Sequence, residues 1–306
     1  MIRDPGQRRF KKIETTVQIS YGVSLAHHSQ DDYSTLRGKT ALVTGSTDGV
    51  GRLVARRLAD HGARVIIHGR NRDRGKQVVD QIGAAARGSA VLVGADFSSL
   101  AEVRRLAQVV TEASDRLDIL INNAGIGSGA PAGKRETSQD GYELRFAVNY
   151  LAGFLLTRLL LPLMTVNQSA RIVNVSSLGQ HPIDFDDVML TRGYAGGRAY
   201  AQSKLAQVMF TFDLARELDP TMVTANCLHP ATYMATTMVR QSGTTPISSV
   251  EEGAEAILNL AVSKALDGCS GEFYNGLRPS RANAQAYEER ARERLRALSM
   301  RLTQLN

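Results

Sequence analysis

Thr40-Ala41-Leu42-Val43-Thr44-Gly45-Ser46-Thr47-Asp48-Gly49-Val50-Gly51 is the stretch on which the fold turns. Its first four residues form a short run of the kind expected for a strand covered on both faces. Three glycines follow in the spacing Gly-x-x-x-Gly-x-Gly, where a helical pattern over residues 50–61 begins. Glycines between a strand and its helix permit a tight turn, and they let backbone N–H groups approach a pyrophosphate at the helix N-terminus. The pattern alone is weak, because glycine-rich turns also arise for steric reasons.

The same alternation continues outward from it. Arg64-Val65-Ile66-Ile67-His68, Ala90-Val91-Leu92-Val93, Asp118-Ile119-Leu120-Ile121, Arg171-Ile172-Val173-Asn174-Val175 and Val223-Thr224-Ala225-Asn226-Cys227 read as further strands, with Gly271-Glu272-Phe273-Tyr274 a weaker seventh. Helical patterns fall at 72–82, 100–113, 141–163, 198–218 and 250–266. Short apolar strands separated by long helices imply right-handed βαβ units. The fold class is therefore α/β: a single-domain, Rossmann-like, doubly wound parallel sheet of about seven strands, helices on both faces, with its ligand crevice at the strands' carboxyl ends. Residues 1–36 read as an N-terminal extension, poorly ordered or loosely packed, and 37–280 as the dinucleotide-binding and catalytic domain. Residues 281–306 read as a C-terminal amphipathic helix, its Leu295, Leu298 and Leu302 on one side.

Composition narrows the class. Of 306 residues 43% are hydrophobic, enough for a sizeable core. Cys227 and Cys269 offer neither a disulfide framework nor a CxxC metal pattern, which fits a reducing, cytoplasmic setting. The longest apolar stretch, 151–161, is interrupted by Thr157 and Arg158 and is too short for a bilayer, so no membrane partner is expected. The net charge of +7 comes from scattered arginines without a single Trp, which argues against nucleic acid and for a basic surface that attracts anionic cofactors. Arg8-Arg9 lacks the apolar region an export signal needs behind it.

Chemistry enters at Tyr200-Ala201-Gln202-Ser203-Lys204, the one place where a tyrosine has a lysine four residues on. In a helix that spacing places phenol and ammonium on one face, about 5–6 Å apart at Cβ. A free phenol with a pKa of about 10 is a poor base at neutral pH. An ammonium about 4 Å away, at an effective dielectric near 20, offers the phenolate roughly 4 kcal/mol, which lowers the pKa by about 3 units. Upstream lie Val175-Ser176-Ser177, at the end of the fifth strand, and Asn122-Asn123-Ala124-Gly125, at the end of the fourth.

Taken in this order with the glycine loop, these motifs resemble the short-chain dehydrogenase/reductase family over roughly residues 38–278, and the insert Gln180-His181-Pro182-Ile183-Asp184-Phe185-Asp186-Asp187 resembles its retinol-dehydrogenase-like branch. The resemblance implies catalytic roles for Asn149, Ser177, Tyr200 and Lys204. Tyr200 handles the proton, Ser177 donates a hydrogen bond to the substrate oxygen, and Asn149 holds a water that links Lys204 to solvent. It further implies cofactor contacts at Gly45, Ser46, Thr47, Asp48, Gly49, Val50 and Gly51, at Asp96 and Phe97 beside the adenine, at Asn123, Ala124, Gly125 and Pro230, and at Tyr200 and Lys204, the lysine through the nicotinamide ribose hydroxyls. Asn122 either braces the cofactor-side strands or is purely structural. The second strand ends in His68-Gly69-Arg70-Asn71-Arg72 with no acidic residue for a ribose 2′-hydroxyl, so Arg70 favours NADP(H) over NAD(H).

Two departures stand out. The insert lengthens the interval from Ser177 to Tyr200, and its His181, Asp184, Asp186 and Asp187 match no known ligand spacing, so no metal is expected and the insert reads as a solvated loop. After the sixth strand, Pro230-Ala231 stands where the family usually has Pro-Gly; alanine resists positive φ, so the turn either differs there or uses an allowed conformer. Residues 232–246 read as the substrate loop, with Met234 and Met238 as a pliable apolar wall or as plain packing. The expected activity is NADP(H)-dependent hydride transfer to or from a carbonyl or alcohol carbon of a moderately apolar small molecule. The alternatives are reduction of a conjugated C=C bond and a non-catalytic dinucleotide sensor. The family commonly forms dimers and tetramers, so a homodimer or homotetramer is the state it suggests.

Overall fold

The computed structural model describes residues 36–129, 133–166 and 169–305; all but the last residue of the expected N-terminal extension lies outside the described residues. The seven expected strands are β1 (Thr40–Val43), β2 (Arg64–Gly69), β3 (Ser89–Gly94), β4 (Ile119–Asn122), β5 (Ala170–Val175), β6 (Val223–His229) and β7 (Phe273–Asn275), and a two-residue β8 (Arg278–Pro279) follows them. They form one sheet in the order β3-β2-β1-β4-β5-β6-β7-β8. Every pairing is parallel except β7–β8. The order reverses between β1 and β4, and the crevice opens there at the carboxyl ends.

Side-chain alternation explains the double winding. Ala41, Val43, Val65, Ile67, Ile119 and Ile121 point to one face, where they pack with α1 (Gly49–Asp60), α2 (Arg72–Ala85) and α7 (Val250–Val262). Leu42, Ile66, Leu120 and Ile172 point to the other, beneath α3 (Leu100–Ala113), α4 (Ala152–Thr165) and α5 (Gly196–Glu217). With period 2 along each strand, neither face is left to water.

Three boundaries differ from expectation. The helical pattern from 141 becomes helix only after Glu143, which forms a bridge to Thr137 and turns its buried carboxylate to the Phe146 N–H at 2.7 Å. A π-helical turn, Phe146–Leu151, then runs into α4. The combined helix Phe146–Thr165 is long and apolar enough to cross a membrane by length and composition, but Phe146, Tyr150, Phe154, Leu155 and Leu160 are buried within the fold, as in a core helix. The unanticipated α6 (Thr237–Gln241) lies in the expected substrate loop. The C-terminal helix is α8 (Glu289–Thr303); its Leu295, Ser299 and Thr303 are buried, and Tyr150 shares a 2.7 Å hydrogen bond with Ser299.

Candidate active site

The glycine loop is held by backbone contacts at close range. Gly45 has φ +65°, and a Cβ there would stand 2.8 Å from the Ala124 Cα. At Gly51 a Cβ would meet both the Gly45 oxygen and Asn123 Nδ2 at 2.4 Å. Any side chain at either position drives the loop from the sheet. Asp48 is the N-cap of α1, its carboxylate accepting from the Gly49 N–H at 2.7 Å. A dinucleotide pyrophosphate fits this place: the loop brings bare backbone to a helix N-terminus, where anions are favoured.

Several predicted contacts serve the loop itself. Ser46 is fully buried; its hydroxyl donates to the Val43 carbonyl at 2.7 Å and accepts the His68 N–H at 3.0 Å. Asn123 Nδ2 donates to the carbonyls of Thr44 and Gly45, and Thr44 Oγ1 accepts the N–H groups of Asn123 and Ala124. Val50 is buried against Gly253 of α7. Ser46, Asn123 and Val50 thus shape the cradle with their side chains engaged elsewhere. Thr47 packs over Gly69 beside exposed Arg70. Asp96 accepts the Ser98 N–H, and Phe97 stacks on His68 with ring centroids 4.3 Å apart.

His68 shapes the glycine loop, a part that sequence reasoning missed. Its Nδ1 accepts the Gly45 N–H at 3.2 Å while Nε2 faces the Ala95 carbonyl at 3.2 Å, so the ring is neutral with its proton on Nε2. Burial pushes its pKa down to about 4. One ring thereby joins the glycine loop to the chain just beyond β3. A histidine closing an otherwise apolar buried strand was the available signal.

The expected catalytic residues lie across the crevice. Ser177 follows β5, and its hydroxyl and the Tyr200 ring near the start of α5 both border Gly179, where a Cβ would stand 3.5 Å from one and 3.8 Å from the other. Ser176 is buried with its hydroxyl on the Lys204 carbonyl at 2.8 Å, which leaves Ser177 facing the crevice. Lys204 Nζ lies 5.7 Å from the Tyr200 ring centroid and donates to the Val175 carbonyl at 3.0 Å and to Gln207 Oε1 at 2.9 Å. Asn149, in the π-helical turn, closes on the Ile126 backbone at 2.8 and 3.1 Å and on Ser203 Oγ at 2.9 Å, so both its amide protons are taken. Gly125 fills the gap between Asn149 and Lys204, where a Cβ would stand 3.2 Å from one and 3.6 Å from the other. Pro230 is buried at the end of β6. Asn122 is structural: its Nδ2 donates to Thr157 and Asn174 inside the core.

The electrostatic expectation is corrected by the packing around both groups. Burial raises the Tyr200 pKa, and the Ser177 hydroxyl lowers it only in part. Burial also brings Lys204 down to about 7. The spacing argument placed the ammonium against the phenol oxygen; Lys204 turns instead to Val175 and Gln207, so desolvation dominates both groups.

The remaining departures resolve in physical terms. Ala231 stays out of the left-handed region and Tyr233 enters it at φ +45°, while His229 Nε2 pairs with Thr232 Oγ1 at 2.9 Å. Met234 packs on Gly253 and is not a wall; Met238 is exposed and lies against Gly127. Thr237 Oγ1 donates to Asp48 Oδ2 at 2.8 Å and the Thr236 methyl rests on Gly49, so the substrate segment reaches the glycine loop. The insert is a loop anchored at one point: of residues 180–187 only Ile183 is buried, His181, Pro182 and Asp186 are exposed, and Asp184 pairs with Arg198 at 3.0 Å; Val188 and Leu190, just beyond it, are buried, and Gln202 donates to the Val188 carbonyl.

A parallel sheet with a glycine cradle on one side of its switch point and Ser177, Tyr200 and Lys204 on the other defines a nucleotide-dependent oxidoreductase. Residues 39–246 match the short chain dehydrogenase family. The chain is 37% identical over 291 residues to human (Homo sapiens) retinol dehydrogenase 13, covering 89% of this chain and 86% of that protein. It is 36% identical to human retinol dehydrogenase 12, with 87% of each covered. Among solved structures, an uncharacterized protein from Mycobacterium Paratuberculosis superposes with TM-score 0.73 at 29% identity, covering 88% of this chain and 95% of that one. The Pseudomonas aeruginosa RhlG/NADP active-site complex superposes with TM-score 0.65 at 30% identity, covering 80% and 96%. The chain belongs to the short-chain dehydrogenase/reductase family, in its retinol-dehydrogenase-like branch, and is an NAD(P)-dependent oxidoreductase acting on alcohol or carbonyl groups.

Proposed function

We propose that the protein is an NADP(H)-dependent oxidoreductase interconverting a carbonyl and an alcohol on a moderately apolar small molecule, with Tyr200 as general acid/base. The observation that carries this reading is the placement of the Ser177 hydroxyl and the Tyr200 ring on the same side of Gly179, beside buried Lys204. The cofactor supplies or accepts hydride. Its pyrophosphate would lie at the glycine loop and the first turn of α1, and its ribose hydroxyls at Lys204. Arg70 would hold a 2′-phosphate; it is exposed at the end of β2, with Arg72 and Arg74 beyond it. The similar RhlG structure is a complex with NADP, which agrees with this preference.

The protein groups divide the proton work. Because burial raises its pKa, Tyr200 keeps its proton at neutral pH and acts as the acid when a carbonyl is reduced. Ser177 donates to the same oxygen as negative charge develops on it. Lys204, balanced near neutrality, re-protonates the phenolate. Substrate is held by the 232–246 segment, where Tyr233 and Met238 are exposed. NADPH and NADH oxidation across a panel of aldehydes and ketones tests the reading. Turnover with NADPH that collapses in Tyr200→Phe supports it; tight NADPH binding without turnover on any carbonyl removes it in favour of C=C reduction or a sensor.

A further inference from the structure

No carboxylate among the described residues holds the charge of Lys204. Among the described residues its ammonium meets two acceptors, the Val175 carbonyl at 3.0 Å and Gln207 Oε1 at 2.9 Å. The titratable groups facing it are Tyr200 on its own helix, 5.7 Å away at the ring centroid, and His229 on β6, which its positive charge helps keep neutral. From the β4 loop and the π-helical turn come Gly125 and Asn149, neither of which titrates. A buried ammonium in such surroundings depends on oriented dipoles for its protonated form.

Gln207 occupies a telling position. It stands seven residues after Tyr200 and three after Lys204, which places all three on one face of α5. The residue is 4% exposed, a location where an amide is costly unless bonded. Its side-chain carbonyl is spent on the ammonium.

We propose that Gln207 is the positioning residue of this active site, fixing the Lys204 ammonium through its amide carbonyl and setting how readily that lysine gains and loses its proton. The proposal rests on the Tyr200 reading above for its catalytic meaning, while its physical content concerns Lys204 alone. With two ammonium protons committed to Val175 and Gln207, one remains for the cofactor ribose or for exchange with Tyr200. Since burial already holds Lys204 near 7, a modest change in its acceptor moves its charge across the working range. A carboxylate at 207 locks the proton on; an apolar group releases it.

The test is a lysine 13Cε NMR titration of the full chain from pH 5 to 10, with Lys204→Met to assign the resonance. Gln207→Glu is expected to raise the Lys204 midpoint, and Gln207→Met to lower it, each by about 1 pH unit or more. The pH profile of kcat/KM on a carbonyl substrate is expected to shift in the same directions. Where Gln207→Met does not fold, Gln207→Glu alone decides. A Lys204 midpoint unmoved in the variants overturns the proposal whatever the activity. A midpoint that moves as expected in a protein inactive on every carbonyl supports the proposal and removes the hydride-transfer reading instead.

Discussion

The two walls of the crevice are built by opposite means. On the β1–α1 side the structure works through what is missing: at Gly45 and Gly51 a single carbon would collide with backbone at 2.8 and 2.4 Å, and the side chains nearby, Ser46, Asn123 and His68, are spent on holding the loop. On the β5–α5 side the structure uses polar side chains, Ser177, Tyr200, Lys204 and Gln207, where desolvation holds the tyrosine protonated and brings the lysine close to neutrality. The nucleotide wall is thus rigid and electrically quiet. The catalytic wall is balanced and sensitive to small changes in its acceptors. A family that varies its substrates needs both, because binding demands a fixed cradle and proton transfer demands groups near their tipping points.

That contrast is open to direct attack. The largest effect is expected at Tyr200→Phe, where removal of the acid costs about 1,000-fold in kcat while thermal stability and NADPH binding hold; a steady-state assay beside a melting curve checks it. The quiet wall has one acid weakness. With its pKa lowered to about 4, buried His68 favours the native state only when neutral, so its contribution is complete above pH 6.5 and is lost as pH falls from there toward 4. The loss amounts to about 3 kcal/mol, visible as urea stability measured at steps of pH and flattened in His68→Gln. Steric exclusion at Gly51 comes next: Gly51→Ala is expected to cost about 2 kcal/mol and to weaken cofactor binding with little change in kcat, as followed by denaturation and by nucleotide titration. The smallest effect belongs to Arg70→Ser, which is expected to reduce the NADPH-over-NADH ratio of kcat/KM about tenfold through one lost charge-assisted contact.

Much of this molecule is legible in its sequence. The seven longer strands announce themselves because a parallel sheet covered on both faces leaves no room for polar alternation, as Val65-Ile66-Ile67 shows. Ser177, Tyr200 and Lys204 are readable because strand ends and helix starts converge at the switch point. What stays hidden depends on neighbours far along the chain. β8 has two residues, and α6 has five without an apolar stripe, so neither carries a periodic signal. Within the loop 180–187 the burial of Ile183 is not legible, because it finds its partner Gln285 about a hundred positions on. The lysine–tyrosine argument fails in magnitude for a related reason: helical spacing fixes proximity at Cβ, but burial and the carbonyls of Val175 and Gln207 decide where the ammonium goes.

Passage of hydride between a nicotinamide and a carbonyl carbon beside Tyr200 is tested at the atom concerned by NADPH deuterated at C4 of the nicotinamide, supplied with a reactive aldehyde from the panel. The expected product is an alcohol carrying deuterium on its carbinol carbon, absent with Tyr200→Phe. Deuterium at the β-carbon of a conjugated substrate, or no transfer to any carbonyl despite tight NADPH binding, contradicts it.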